Sequence, residues 1–243
     1  MQQDNTKRIC LWSGPRNIST TLMYSFAQRS DTRVYDEPLY AHYLVNSEAK
    51  NYHPGVSDTL ASMENNGEKV VEMMMGKHET PVVFFKNMTN HLLDLDKSFM
   101  KDAINVMLTR DPVEMLPSFG KVIEMPSMLD VGYELHIKLL EYFEANEVKP
   151  IVLDAKKVLL NPEKVLRQLC ELVEIPFEES MLHWEAGARP EDGTWAEFWY
   201  HSVHKSTGYK KYTPKTERFP ERLKPLLEEC LPYYEKLTKL ALE

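Results

Sequence analysis

Cysteine is scarce, with Cys10, Cys170 and Cys230 the three in 243 residues. They stand far apart, are odd in number and lack the close pairing of a zinc site. That pattern excludes a disulfide framework and makes reduced, buried thiols the expected state. An apolar run of about eighteen residues is missing everywhere, so no membrane-spanning helix is expected. The start, residues 1–8, is polar and has no apolar stretch of the kind a signal peptide carries. A cytoplasmic protein is therefore expected, in which the triplets Asn17-Ile18-Ser19 and Asn87-Met88-Thr89 would never be glycosylated. A surplus of basic charge is missing too. The formal net charge is -8, whereas a nucleic-acid or anionic-membrane partner calls for a basic surface, so neither is expected. An anionic ligand must then be held by a local positive site. Internal repeats and low-complexity tracts are also absent.

What is present is enough apolar residue, 43%, to bury one sizeable core, so a single domain over residues 1–243 is the default. Apolar runs of strand length recur at Ile9-Cys10-Leu11-Trp12, Val82-Val83-Phe84-Phe85, Ile104-Asn105-Val106-Met107-Leu108 and Ile151-Val152-Leu153, with a weaker one at Arg33-Val34-Tyr35. Such runs suit strands covered on both faces of a parallel sheet. Helical patterns lie between them at residues 19–29, 130–146 and 162–173, and an amphipathic helix is expected over 220–242. The alternation reads as an α/β fold, three layers deep, with a central, mostly parallel sheet flanked by helices. Residues 46–80 and 185–220 break the alternation, and stretches of that length inside a compact domain are often lids or binding segments.

The segment after the first strand carries the most information: Ser13-Gly14-Pro15-Arg16-Asn17-Ile18-Ser19-Thr20-Thr21. Gly14 and Thr21 are spaced as in G-x-x-x-x-G-K-[ST], with Ser19 in the second glycine place and Thr20 in the lysine place. A strand, a tight loop and a helix start would aim backbone N–H groups and the positive end of a dipole at one point, where phosphate oxygens fit. Helix capping explains Ser19, Thr20 and Thr21 equally well. Arg16, a guanidinium in the bend, favours the phosphate reading. The missing lysine points away from nucleoside triphosphate chemistry, which needs an ammonium on the β- and γ-phosphates.

A second anchor follows the fourth apolar run, in Thr109-Arg110-Asp111-Pro112-Val113-Glu114-Met115-Leu116-Pro117-Ser118. Here the chain resembles the sulfotransferase family, in which a strand ends in Arg, often as Arg-Asp-Pro, and a Ser stands eight residues later. The resemblance continues in order through Ile151-Val152-Leu153-Asp154, Leu160-Asn161-Pro162-Glu163-Lys164-Val165-Leu166 and Leu172-Val173-Glu174-Ile175-Pro176-Phe177. It implies a P-loop fold and a co-substrate, 3′-phosphoadenosine 5′-phosphosulfate (PAPS), with Arg110 and Ser118 on the 3′-phosphate. A charge-assisted fork from Arg suits that task. The 5′ side would fall to Gly14, Arg16, Asn17, Ser19, Thr20 and Thr21. This loop departs from the family's P-[KR]-[ST]-G-T-T: Arg16 lies one place early, Asn17 takes the basic position and Ser19 replaces Gly. Lys205-Ser206-Thr207-Gly208 resembles the family's C-terminal loop over the 3′-phosphate and adenine. Residues 13–29 with Asp36-Glu37-Pro38-Leu39-Tyr40 are similar to a branch of plants and bacteria, some of whose members are named after aminotransferases. No pyridoxal-phosphate lysine motif accompanies that likeness here.

The implied reaction moves a sulfuryl group to a hydroxyl or amine of a small acceptor. It needs a base, cationic stabilisers and an aligned donor, and no metal. Arg16 is the expected stabiliser. Glu37 stands where several branches carry a catalytic glutamate, and Pro38 is expected to keep its backbone extended. His91, in Lys86-Asn87-Met88-Thr89-Asn90-His91, follows the strand after which other branches carry Lys-Thr-His, so two bases are open. Lys86 at that strand's end adds charge nearby. Tyr40, His42, Tyr43, Trp195, Phe198, Trp199 and Tyr200 are candidates for an aromatic wall or for core packing. Met73-Met74-Met75 fits a lid or a buried helix turn. Two rival readings stay open. One is a P-loop kinase or NTPase with Asp154 as its metal-binding acid, and the other is a non-catalytic nucleotide-binding module. The acceptor's identity is open, and so is a homodimer.

Overall fold

The computed structural model describes residues 5–243. Of the polar start, Met1 to Asp4 lie outside the described residues. Five strands form one parallel sheet: β1 (Lys7–Ser13), β2 (Thr32–Asp36), β3 (Val82–Met88), β4 (Ile104–Thr109) and β5 (Ile151–Asp154), in the order β2-β3-β1-β4-β5. Every apolar run expected to be a strand is one. The helices, in chain order, are α1 (Ser19–Phe26), α2 (Tyr40–Val45), α3 (Val56–Ser62), α4 (Gly67–Met75), α5 (Pro112–Phe119), α6 (Met128–Val131), α7 (Tyr133–Ala145), α8 (Ala155–Leu160), α9 (Pro162–Leu172), α10 (Ala196–Trp199) and α11 (Lys224–Thr238). None is long and apolar enough to cross a membrane.

The strand runs are continuously apolar because side chains alternate between two buried faces. Ile9, Leu11, Phe84, Val106 and Leu108 enter one core with α1 and α9. Cys10, Trp12, Val83, Phe85 and Met107 enter the other with α4 and α7. Phe26 of α1 stacks on Phe84 at 4.3 Å between ring centroids, joining helix to sheet. The cysteines are buried free thiols. Burial pushes Cys10 up to about 12, so it behaves as a small apolar side chain.

Several boundaries differ from the sequence pattern. The periodicity over 130–146 is split by Gly132, whose φ of 75° ends α6 and begins α7. Residues 46–80 hold regular structure. A 3-10 turn at Glu48–Asn51 and helices α3 and α4 occupy them, and Met74 of the methionine triplet is fully buried in the second core. Residues 185–220 remain mostly irregular, with α10 as their helical turn.

Because β1 sits between β3 and β4, the chain crosses from one side of it to the other, and a crevice opens at the strands' C-terminal ends. Ser13, Asp36, Met88 and Thr109 are the last residues of four of those strands. The loops that follow them build the site.

Candidate functional site

A cavity of about 540 Å³ lies in this crevice, within the range of small-molecule sites. One wall is the loop from β1 to α1. Gly14 is needed there for close approach, since a Cβ would stand 2.7 Å from the Val131 carbonyl oxygen. Arg16 and Ile18 adopt φ values of 58° and 62°, a left-handed backbone that non-glycine residues rarely hold. Asn17 braces the loop from within, its Nδ2 donating to the Leu108 carbonyl at 3.2 Å. Ile18 supplies no side-chain cap to α1, and the first helical bond is Leu22 N–H to Ile18 O. The N–H groups of Ser19, Thr20 and Thr21 are thus left without helical partners, and all three residues line the cavity.

Two guanidinium groups stand beside this uncapped helix start. Arg16 donates through Nε to Ser118 Oγ (3.2 Å) and through Nη1 to the Trp199 carbonyl (2.7 Å). Arg110 donates through Nη1 to the Arg16 carbonyl (2.8 Å) and through Nη2 to Glu114 (3.2 Å), while its buried Nε has no partner. Burial, with Arg110 nearby, pulls Arg16 below the usual guanidinium value, and Lys215 is lowered by burial and the same neighbour. Cations crowd here without enough anion between them, which is the electrostatic condition for holding a phosphate. Arg110 and Ser118, the pair implied by the family resemblance, meet through Arg16.

The segment Lys205-Ser206-Thr207-Gly208 reaches the cavity only in part. Ser206 and Gly208 line it, but Lys205 and Thr207 face a neighbouring groove. The Ser206 hydroxyl accepts from Trp184 Nε1 and donates to the Val203 carbonyl. Besides Lys86, the lysines at the cavity are instead Lys210, Lys211 and Lys215. Tyr212 beside them donates to Glu114 at 2.6 Å, strapping this segment to α5.

The opposite wall holds both candidate bases. Glu37 and His91 are buried and line the cavity, with His91 Nε2 4.0 Å from Glu37 Oε2. The expected extended backbone at Glu37 is not found. Its φ is 44°, because Pro38 disfavours the right-handed helical region and the chain turns left-handed so that Tyr40 N–H can reach the Glu37 carbonyl. Lys86 is fully buried and donates to Asp36 Oδ1 (2.7 Å), Glu37 Oε1 (2.5 Å) and the Tyr200 hydroxyl (2.6 Å). Tyr200 in turn donates to Asp36 and accepts from Trp195 Nε1 at 3.2 Å. All three ammonium hydrogens are therefore engaged.

One ammonium faces two buried carboxylates. Burial pushes Glu37 up to about 7; Lys86 opposes the rise and Asp36 adds to it. Lys86 is held above its usual value because Asp36 and Glu37 outweigh its own desolvation. His91 goes the other way. Burial, together with His53, Lys86 and His42, drives it well below 6.5 and keeps it neutral. Its ring is stacked between Tyr40 (5.0 Å, 13°) and Tyr43 (4.9 Å, 25°). Glu37 titrates near neutrality in contact with a cation, and His91 does not.

Of the aromatic candidates, Tyr40, Trp195, Trp199 and Tyr200 line the cavity. Tyr43 is fully buried, His42 is tied to the Leu93 carbonyl and Phe198 packs over Gly55. Sequence reasoning missed Asp36 as a partner of Lys86, and it missed His53 and Asp130. A charged Lys86 continuing the apolar run Val82-Val83-Phe84-Phe85 was the available signal, since a lysine on a central strand needs a buried counter-charge. Asp154 is accounted for as the cap of α8, accepting from the N–H groups of Lys156 and Lys157 and from Tyr234.

Comparison with known proteins adds three findings. The family described as Sulfotransferase domain matches residues 7–241. Two curated proteins of Arabidopsis thaliana, Branched-chain-amino-acid aminotransferase-like proteins 2 and 1, are 41% and 44% identical to this chain, each over 92% of it. The chain spans 40% of the length of these relatives. Among solved structures, the sulfotransferase domain of the Synechococcus PCC 7002 olefin synthase aligns with a TM-score of 0.56 at 14% identity, covering 94% of this chain and 97% of that one. The sulfotransferase domain of the curacin biosynthetic pathway gives 0.54 at 14% identity, covering 94% and 98%. A sulfotransferase from Alicyclobacillus acidocaldarius gives 0.54 at 12% identity, covering 96% and 95%. These likenesses bear out the α/β sheet architecture.

Proposed function

This chain belongs to the sulfotransferase domain family, and from that premise we propose that it transfers the sulfuryl group of PAPS to a hydroxyl or amine of a small acceptor. The observation that carries the reading is the polarity of one cavity: an uncapped helix start with two under-neutralised guanidinium groups on one wall, and Glu37 joined to Lys86 on the other. The residues fit the donor. Ser19, Thr20, Thr21 and Arg16 would hold its 5′ side, while Arg110, through its unpartnered Nε, and Ser118 would hold the 3′-phosphate.

When bound, the donor supplies a sulfuryl group already bonded to a good leaving group. Glu37 is the base: it takes the acceptor's proton as the acceptor oxygen or nitrogen bonds to sulfur and the bond from sulfur to the bridging phosphate oxygen breaks, releasing adenosine 3′,5′-bisphosphate with that electron pair. A carboxylate that titrates near 7 is matched to that task at neutral pH. Once protonated, Glu37 loses its attraction for Lys86, and an ammonium hydrogen becomes free to meet negative charge developing beside it. Asp36 and Tyr200 keep the ammonium in place meanwhile. His91, neutral and stacked between two rings, walls the site.

Isothermal titration tests the reading. Adenosine 3′,5′-bisphosphate is expected to bind without magnesium, and more tightly than the 5′-monophosphate by about tenfold or more. Binding of ATP that needs magnesium and gains nothing from a 3′-phosphate would overturn the proposal.

A further inference from the structure

The half of the cavity around Glu37 is a chamber of rings in contact with one another. Phe119 stacks on Trp199 (5.8 Å, 22°), Trp199 meets His53 (6.2 Å), His53 meets Tyr40 (6.0 Å), and Tyr40 meets Trp195 and His91 (5.0 Å each). Cations near the chamber are already engaged. Lys86 has spent its three hydrogens, and Arg16 is tied to Ser118 and the Trp199 carbonyl. Carboxylates do face it, namely Glu37 and Asp130. Asp130 is buried and accepts from Tyr52 (2.6 Å) and from Ser127 N–H and Oγ. An anionic substituent beside Glu37 and Asp130 would meet two carboxylates, with the adjacent Lys86 having no hydrogen left to offer it.

Two ring nitrogens in the chamber are buried without a partner, His91 Nδ1 and one nitrogen of His53. His53 Nδ1 and the Tyr40 hydroxyl are 2.8 Å apart, and Tyr40 has no other acceptor among the described contacts. With Tyr40 as donor, the imidazole hydrogen lies on Nε2. That atom is buried and unpartnered, and His53 lines the cavity. Burial lowers His53, so it stays neutral, with Asp130 opposing the shift. A buried N–H without a partner calls for an oxygen to receive it.

We propose that the acceptor is an uncharged compound with a flat ring body and a second oxygen remote from the reacting one, and that His53 Nε2–H selects it by donating to that second oxygen. This rests on the sulfuryl-transfer reading for which end of the cavity receives the acceptor. His53 is a specificity residue; it does not take part in proton transfer.

The test is titration calorimetry on the full chain with four probes: naphthol, a dihydroxynaphthalene with hydroxyls at opposite ends, the matching hydroxynaphthoate, and an aminomethyl naphthol carrying an ammonium. Each is titrated with and without saturating adenosine 3′,5′-bisphosphate. The diol is expected to bind tightest, and the naphthoate weaker than naphthol by about tenfold or more. His53→Ala should weaken the diol by about tenfold while leaving naphthol within about twofold, and His53→Gln, which keeps an N–H donor, should restore part of the diol's advantage. Bisphosphate affinity should not change in either variant. Tightest binding of the naphthoate or the ammonium compound, equal losses for diol and naphthol in His53→Ala, or no binding of any probe would overturn the inference. If bisphosphate fails to bind while the diol still does through His53, the donor reading falls and the chamber's selectivity stands.

Discussion

The two halves of the cavity solve opposite electrostatic problems. At the loop end, positive charge is left under-neutralised: backbone N–H groups have no helical partner, and Arg110 keeps an idle Nε. At the ring end, the one buried ammonium is more than matched, by Asp36, Glu37 and the Tyr200 hydroxyl. The loop end is thus incomplete until an anion arrives, whereas the bonds around Lys86 are complete until a proton moves. An unfilled hydrogen-bond set marks where a ligand binds, and an overfilled one marks where chemistry changes charge.

Substitutions at each end should therefore fail in different ways. The sharpest break is Glu37→Gln, expected to cut turnover by about 10²–10⁴-fold with bisphosphate affinity unchanged; steady-state rates beside calorimetry would show it, and undiminished turnover would pass the base to His91. Next is Lys86→Met, which leaves Asp36 and Glu37 buried without their cation. Its expected cost is about 3–5 kcal/mol of stability in denaturant unfolding. Arg110→Ala belongs to the other end, and calorimetry should find bisphosphate affinity reduced by about 10–100-fold with the melting temperature little changed. The smallest effect is expected from Tyr212→Phe. It unties the strap from Glu114 and should raise the bisphosphate dissociation rate in stopped flow by about twofold to tenfold.

The pH dependence sharpens the same contrast. The base must be ionised, so turnover should rise with pH through about 7, and this limb should vanish in Glu37→Gln. Stability should run the other way. The folded-state value lies above the ordinary 4.5, so the contribution of protonated Glu37 is full below about 4.5 and is lost as pH rises through about 7. Thermal melts between those limits would reveal the opposed trends.

Local signals made part of this legible from sequence. The β1 loop lies within a single strand-loop-helix unit, where period and turn chemistry speak directly, and the pairing of Arg110 with Ser118 came from the family resemblance. Glu37 and His91 were legible as alternatives, and their ranking depended on burial that no single segment encodes. His53 and Tyr200 were harder. Tyr200 reaches Lys86 from 114 positions away, and the helices of residues 46–80 owe their order to tertiary packing of residues such as Met74 and Val70 rather than to any strong period. Lys205 illustrates the reverse error: a short Lys-Ser-Thr-Gly phrase looks right, but backbone direction sends its lysine to a neighbouring groove.

The central place of β1 also governs how the chain can come to exist. β1 precedes both of its partners, with Lys7 opposite Val82 and Ile9 opposite Ile104, so one edge stays bare until β3 is made and the other until β4 is. Closing such distant pairings is slow, and meanwhile Ile9, Cys10, Leu11 and Trp12 offer a sticky ribbon to any neighbour. Fragments that stop short of β4 should aggregate rather than fold, because β1 would keep an unpaired edge.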